Sequence, residues 1–455
     1  MKPHLIPLHC ESHDSNMLTI GEVMFEREHL LALSIATGFY KRAPRKIDIC
    51  SLLGCICSGS IKGSPSCNDL AASLEASHPL QGPSRQAVHL RLGAPLERFI
   101  HRLLEEVIGG RLNGKHADPE ASTPDTGGFG AYKRIIVQDS TIIKLPQHLF
   151  TEFSGVSNAQ SKVCNARVQA TYDLLSDQLI TFSIDPYSKN DLTAATELHI
   201  EAGDLVLRDR GYLTMDEIQR HRDRDAHCIY RHKTGTIYLD PQTREPINLA
   251  LMLRQRGHLD ITALLNNKAR TPVRLVAAAV NEETANLRRM KARKENHGHN
   301  PSKATLELMD YTIFITTIDS AHADFDRLLA VYGLRWRIEV IFKAWKSHMK
   351  FGVLHRVSKL QMLIILKARL LLIACCANII YRPLERSLWQ KYQVHISLLK
   401  LIRFLSASPA NFLRAVCSLS ATDREAHGFH CAVLRYCCYD RRNRQNYCQI
   451  LKEVA

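Results

Sequence analysis

Three acidic residues are placed where they could do chemistry together. Asp139 lies just past the middle of the apolar, β-branched run Arg134–Ile143, and Asp209 closes the run Asp204–Asp209 just ahead of Gly211. Glu339 sits in the segment Tyr332–Lys346, among cations and aromatics. A carboxylate inside an apolar strand is costly unless something pairs with it, and a metal ion is an efficient partner. Two strand-borne aspartates and one helix-borne glutamate offer only hard oxygen ligands, which favours Mg2+ or Mn2+ over zinc. Two such ions, about 3.5–4 Å apart, would activate a water or a 3′-hydroxyl and stabilise the departing oxygen in phosphodiester transfer. Each aspartate also has a plainer reading: Asp139 could bond a backbone amide, and Asp209 could cap a turn beside a glycine that relieves a sharp bend.

On a single α-helix, at about 100° per residue, Tyr332, Arg335, Trp336, Glu339, Lys343 and Lys346 fall within roughly 100° of arc. Leu334, Ile338, Ile341 and Trp345 fall on the opposite side. Such a helix could hold a metal through Glu339 while its bases grip phosphates, although a solvated amphipathic helix has the same pattern. Upstream, strands are expected at Arg134–Ile143, Ala166–Leu175, Gln178–Asp185, Asp204–Asp209 and Ala226–His232, with helices at Asp191–Ile200 and Met215–Arg222. The second and third strands form an antiparallel pair across Ser176-Asp177. This order describes a mixed α/β sheet.

The rest of the chain divides around that sheet. Residues 1–45 form an N-terminal extension, and 46–115 a helical module with turns at Gly63-Ser-Pro65 and Pro79–Pro83. In that module Ser84 would cap a candidate recognition helix carrying Arg85, His89 and Arg91, as in a helix-turn-helix, unless the module is a plain helical cap. A Gly-rich linker spans 116–130. The first part of the core is 131–234, an insertion spans 235–308, and the second part of the core, 309–384, carries the Tyr332–Lys346 helix. The insertion contains a strand at Thr271–Ala277 and the basic run Leu287–Lys294, either solvated or set against a DNA backbone. A helical tail covers 385–455.

The formal charge of +15 and pI near 9.2 favour a polyanionic partner, nucleic acid or anionic membrane. No apolar leader follows Met1, and the apolar stretch Met362–Ile380 is broken by Lys367 and Arg369, so a buried helix is expected rather than a membrane span. The 14 cysteines are scattered. Neither Cys55-x-Cys57 nor the group His430, Cys431, Cys437, Cys438 and Cys448 has a standard zinc spacing, so reduced thiols and a reducing, cytoplasmic compartment are expected.

Tyr332-x2-Arg335-x3-Glu339-x6-Lys346 resembles the Tyr-Arg-Glu-Lys signature of DDE-class insertion-sequence transposases, specifically the insertion sequence 4 family. The blocks Ile136–Thr141 around Asp139 and Asp209-Arg210-Gly211-Tyr212 resemble that family's other two acidic blocks, and the resemblance covers roughly residues 45–385. It implies a ribonuclease H-like mixed sheet flanked by helices, with a β-rich insertion before the last catalytic helix and an N-terminal helical domain. It further implies that Asp139, Asp209 and Glu339 hold two Mg2+ or Mn2+ ions. Arg335, Lys343 and Lys346 would then contact phosphates of the element's ends. Tyr332 would bond a backbone phosphate beside a flipped base, with Trp336 a stacking surface. The implied activity is cut-and-paste transposition through hairpin ends. The implied partners are terminal inverted repeats, target DNA and a second copy of the chain, in a bacterial, nucleoid-associated setting without membrane.

Overall fold

The computed structural model describes residues 25–42, 47–77, 80, 82–109, 132–155, 162–176, 178–189, 198–295, 300–420 and 423–439. The linker 116–130, most of the helix expected at Asp191–Ile200 and Cys448 lie outside the described residues.

Nine strands form one sheet: β1 Arg134–Lys144, β2 Asn165–Asp173, β3 Gln178–Pro186, β4 Asp204–Arg208, β5 His227–Arg231, β6 Tyr238–Leu239, β7 His258–Leu265, β8 Pro272–Ala279 and β9 Tyr311–Thr316. Their order is β3-β2-β1-β4-β5-β9-β8-β7-β6. β1, β2 and β3 form an antiparallel meander, β4 and β5 run parallel to β1, and β9 turns the direction again. The stretch read as an insertion therefore contributes β6, β7 and β8 to the same sheet, joined through the antiparallel β8–β9 ladder.

Period-2 alternation sorts the central strands onto two cores. Ile135, Val137, Leu205 and Leu207 face the larger core, whereas Ile136 and Val206 face the smaller one with Tyr212, Ile218 and Tyr230. The larger core is closed by helices. Cys375–Tyr381 and the apolar helix Lys359–Ala374 run through its middle, packed on Ala94–Ile108 and Ile49–Lys62. The helical run Lys359–Tyr392 is long and apolar enough to cross a membrane, yet 83% of its most apolar window is buried inside the protein. Arg369 is wholly buried there and donates to the carbonyls of Ser60, Gly63, Phe351 and Val353. Two of these oxygens belong to the C-terminal end of the Ile49–Lys62 helix, where carbonyls have no partner within the helix.

The segment Tyr332–Lys346 differs from the single helix expected. One helix spans Phe325–Gly333 and a second Trp336–His348, with a turn at Leu334-Arg335. The amides of Leu334, Arg335 and Arg337 bond three residues back, to Val331, Tyr332 and Leu334. This tighter winding breaks the 100° spacing at the turn, so Tyr332 leaves the face that Trp336, Glu339, Lys343 and Lys346 share on the second helix. Tyr332 is buried and Trp336 is 62% exposed, while Leu334, Ile338, Ile341 and Trp345 are buried as expected.

Candidate active site

The β1–β4 ladder determines where the two aspartates lie. Its last paired rung is Gln138 opposite Arg208, and the next residues are Asp139 and Asp209. Because strand side chains alternate, both aspartates point to the larger core's side, and Gln138 and Arg208 to the other. The helix Trp336–His348 packs on the aspartates' side through Ile338 and Ile341, which brings Glu339 to the same end of the sheet. Ala170, cross-strand from Asp139, leaves room beside it.

Arg335 ties two of the acids together. Its Nη1 donates to Asp139 Oδ2 at 3.0 Å and its Nη2 to Glu339 Oε1 at 2.7 Å. Asp139 Oδ1 also accepts from the Ser140 amide at 2.8 Å, so the plain backbone bond coexists with the charged one. Burial pushes the Asp139 carboxyl up to about 6; the Ser140 amide and Arg335 pull it down, while the charges of Glu339 and Asp209 raise it further. Asp209 thus belongs to the same electrostatic cluster. Its side chain caps no backbone amide of the following turn, Arg210–Tyr212. That turn has no left-handed residue, so Gly211 is not there to relieve backbone strain; a Cβ at Gly211 would sit 3.8 Å from Asp209 Oδ2.

The remaining residues divide into exposed and buried. Trp336, Lys343 and Lys346 are exposed on the helix that carries Glu339, open to a ligand. Tyr332 is not: its hydroxyl donates to the Arg208 carbonyl at 3.2 Å, its ring packs 5.4 Å from Phe314, and burial raises its pKa to about 12. In the N-terminal module Arg85, His89 and Arg91 are all exposed; Arg91 also donates to the Phe39 carbonyl at 3.1 Å, and His89 lies 3.4 Å from Gln361 at the start of the Lys359–Ala374 helix.

Behind the sheet lies a network the sequence reading passed over. Arg208 is 4% exposed; its Nη2 donates to Gln138 Oε1 and its Nη1 to Glu217 Oε1 at 2.6 Å. The signal was available, since a glutamine inside an apolar strand needs a buried partner.

The donor set suits a hard divalent cation. It is carboxylate throughout, and burial, the largest cause, raises Asp139 against the opposing pull of the Ser140 amide and Arg335. Among the described residues no three Asp, Glu, His or Cys side chains converge closely enough to chelate an ion in this conformation, in which the Arg335 guanidinium stands between Asp139 and Glu339.

Comparison with known proteins bears on this arrangement. The profile of the family described as "Transposase DDE domain" matches residues 131–379, a stretch that contains Asp139, Asp209 and Glu339. The transposase for insertion sequence element IS231B of Bacillus thuringiensis subsp. berliner is 24% identical over 294 residues, covering 60% of this chain and 61% of that protein. The transposase for IS231E of Bacillus thuringiensis subsp. finitimus is 24% identical over 295 residues, covering 60% and 62%. The transposase for IS1151 of Clostridium perfringens is 23% identical over 278 residues, covering 55% and 58%. The matches thus span about 60% of the length of these curated relatives. Among solved structures, the piggyBac transposase synaptic complex with hairpin DNA aligns with a TM-score of 0.42 at 10% identity, covering 94% of this chain and 87% of that one. With the family profile matching more than half of its length, the chain belongs to the transposase DDE-domain family.

Proposed function

We propose that this chain is an insertion-sequence transposase that cuts phosphodiester bonds at the ends of its element and joins the freed 3′-hydroxyls to target DNA. The observation that carries the reading is the placement of Asp139 and Asp209 one step past a shared rung of β1 and β4, on the face where Glu339 packs. The strand order β3-β2-β1-β4-β5, three antiparallel strands followed by two parallel ones, supports a ribonuclease H-like core. The spacing from Tyr332 to Lys346 supports the insertion sequence 4 assignment, with hairpin ends and a dimer in which each subunit cuts the end its partner binds.

Asp139, Asp209 and Glu339 would hold Mg2+ or Mn2+, which supplies Lewis-acid activation of the attacking oxygen and charge neutralisation on the leaving one. Arg335 holds Asp139 and Glu339 in place until cations arrive, and its guanidinium is then available to a phosphate. Lys343 and Lys346 add positive charge along the same exposed edge, and Trp336 offers a face on which an unstacked base can rest.

The test is cleavage of terminal-repeat DNA with Mg2+ or Mn2+. Asp139→Asn, Asp209→Asn and Glu339→Ala should each abolish cutting while retaining end binding in a gel-shift assay. A wild-type protein that shifts this DNA but never cuts it would instead be a DNA-binding protein derived from a transposase.

A further inference from the structure

Strand alternation sends Asp209 to the acid face, but it lies just past the last rung of the β1–β4 ladder, so no rung pairs its backbone with β1. Its neighbour Arg208 is held from both faces of the sheet. On the acid face the Tyr332 hydroxyl donates to the Arg208 carbonyl at 3.2 Å, and Tyr332 closes the helix that leads into Arg335 and Glu339. On the opposite face the Arg208 guanidinium donates to Gln138 and to Glu217, the latter at 2.6 Å. Gln138 immediately precedes Asp139. Glu217 is itself anchored: its amide donates to Thr214 Oγ1 at 3.1 Å and its carboxylate accepts from Arg220 at 2.8 Å. The Arg208 guanidinium also lies 5.6 Å from the centre of the Tyr212 ring, whose hydroxyl donates to Gln169 on β2 at 2.8 Å.

From this convergence we propose that Arg208 is a positioning residue of the active site. Through Gln138, Glu217 and Tyr332 it fixes the Asp209 carboxylate relative to Asp139 and Glu339, and Tyr332 serves this clamp rather than a DNA phosphate. The inference rests on the proposed function, because it concerns how the three acids are aligned for cations. Groups that orient metal-binding carboxylates from behind typically change metal affinity by about 10–100-fold when removed.

Arg208 and Glu217 are poor test sites, because removing either leaves a buried charge without its partner. Gln138→Met and Tyr332→Phe each remove one polar contact and keep the Arg208–Glu217 pair. The experiment titrates full-length protein with Mn2+ without DNA, following free Mn2+ by electron paramagnetic resonance, and then measures end cleavage. Asp209→Asn should remove the Mn2+ site of the wild type. Both clamp variants should bind Mn2+ about tenfold more weakly, with kcat lowered, KM for end DNA unchanged, and a cooperative melt showing that they fold. Folded variants with wild-type Mn2+ affinity would overturn the clamp and leave the active site standing. A raised KM for Tyr332→Phe with unchanged Mn2+ affinity would return Tyr332 to a DNA contact. Wild-type Mn2+ uptake that Asp209→Asn does not alter would overturn the active-site reading, and the clamp with it.

Discussion

Asp139 carries the conflict on which the site depends, a carboxylate that folding buries beside two others. Its folded pKa is raised to about 6, with burial the main cause, whereas in the unfolded chain it ionises near ~3.9. Between those values the native state binds more protons than the unfolded one. This residue's contribution to stability therefore falls as pH rises from about 4 to about 6, and its penalty is complete above that window. Asp139→Asn should stabilise the cation-free protein by about 3 kcal/mol near pH 7.5 and by nothing below pH ~3.5. Urea denaturation at the two pH values measures this, and equal effects at both would contradict a burial-raised carboxyl.

At the scale of elements, Arg369 joins the N-terminal helices to the half that carries the three acids. Its four carbonyl partners come from the end of the Ile49–Lys62 helix and from the loop after Trp336–His348. Arg369→Met keeps the volume and strands those oxygens, so unfolding free energy should drop by about 3 kcal/mol. A loss under about 0.5 kcal/mol by chemical denaturation would mean that water satisfies the carbonyls instead. Much of this architecture was legible in the sequence. β1, β4 and β5 announced themselves as apolar, β-branched runs, and Asp139 and Asp209 stood out because such runs exclude charge. The turn at Leu334-Arg335 was not legible, since neither proline nor a polar cap marks it and only the three-residue hydrogen bonds reveal it. β7 was missed although His258, Asp260 and Thr262 alternate with Leu259, Ile261 and Ala263, the period-2 pattern of a half-buried strand. The clamp behind the aspartates is non-local: Gln138 and Arg208 are 70 residues apart, and their pairing depends on the β1–β4 register.

For the molecule as a whole, the charge of +15 makes the proposed DNA binding an electrostatic matter. Exposed Lys343 and Lys346 lie on the helix that carries Glu339, and the helix Glu282–Glu295 adds Arg293 and Lys294 in its last turn. If about six phosphates are neutralised, affinity for end DNA should fall about a thousandfold between 50 and 200 mM salt. Fluorescence anisotropy across that range gives the slope, and a flat response would show that the basic surface does not face the DNA. The proposed chemistry requires divalent cations at the three acids. Crystals soaked in Mn2+ and measured for anomalous scattering test it directly. The account predicts Mn2+ peaks within about 2.0–2.3 Å of carboxylate oxygens from Asp139, Asp209 and Glu339, with the Arg335 guanidinium displaced from between them. Mn2+ bound elsewhere, with Arg335 still bridging Asp139 and Glu339, would contradict it.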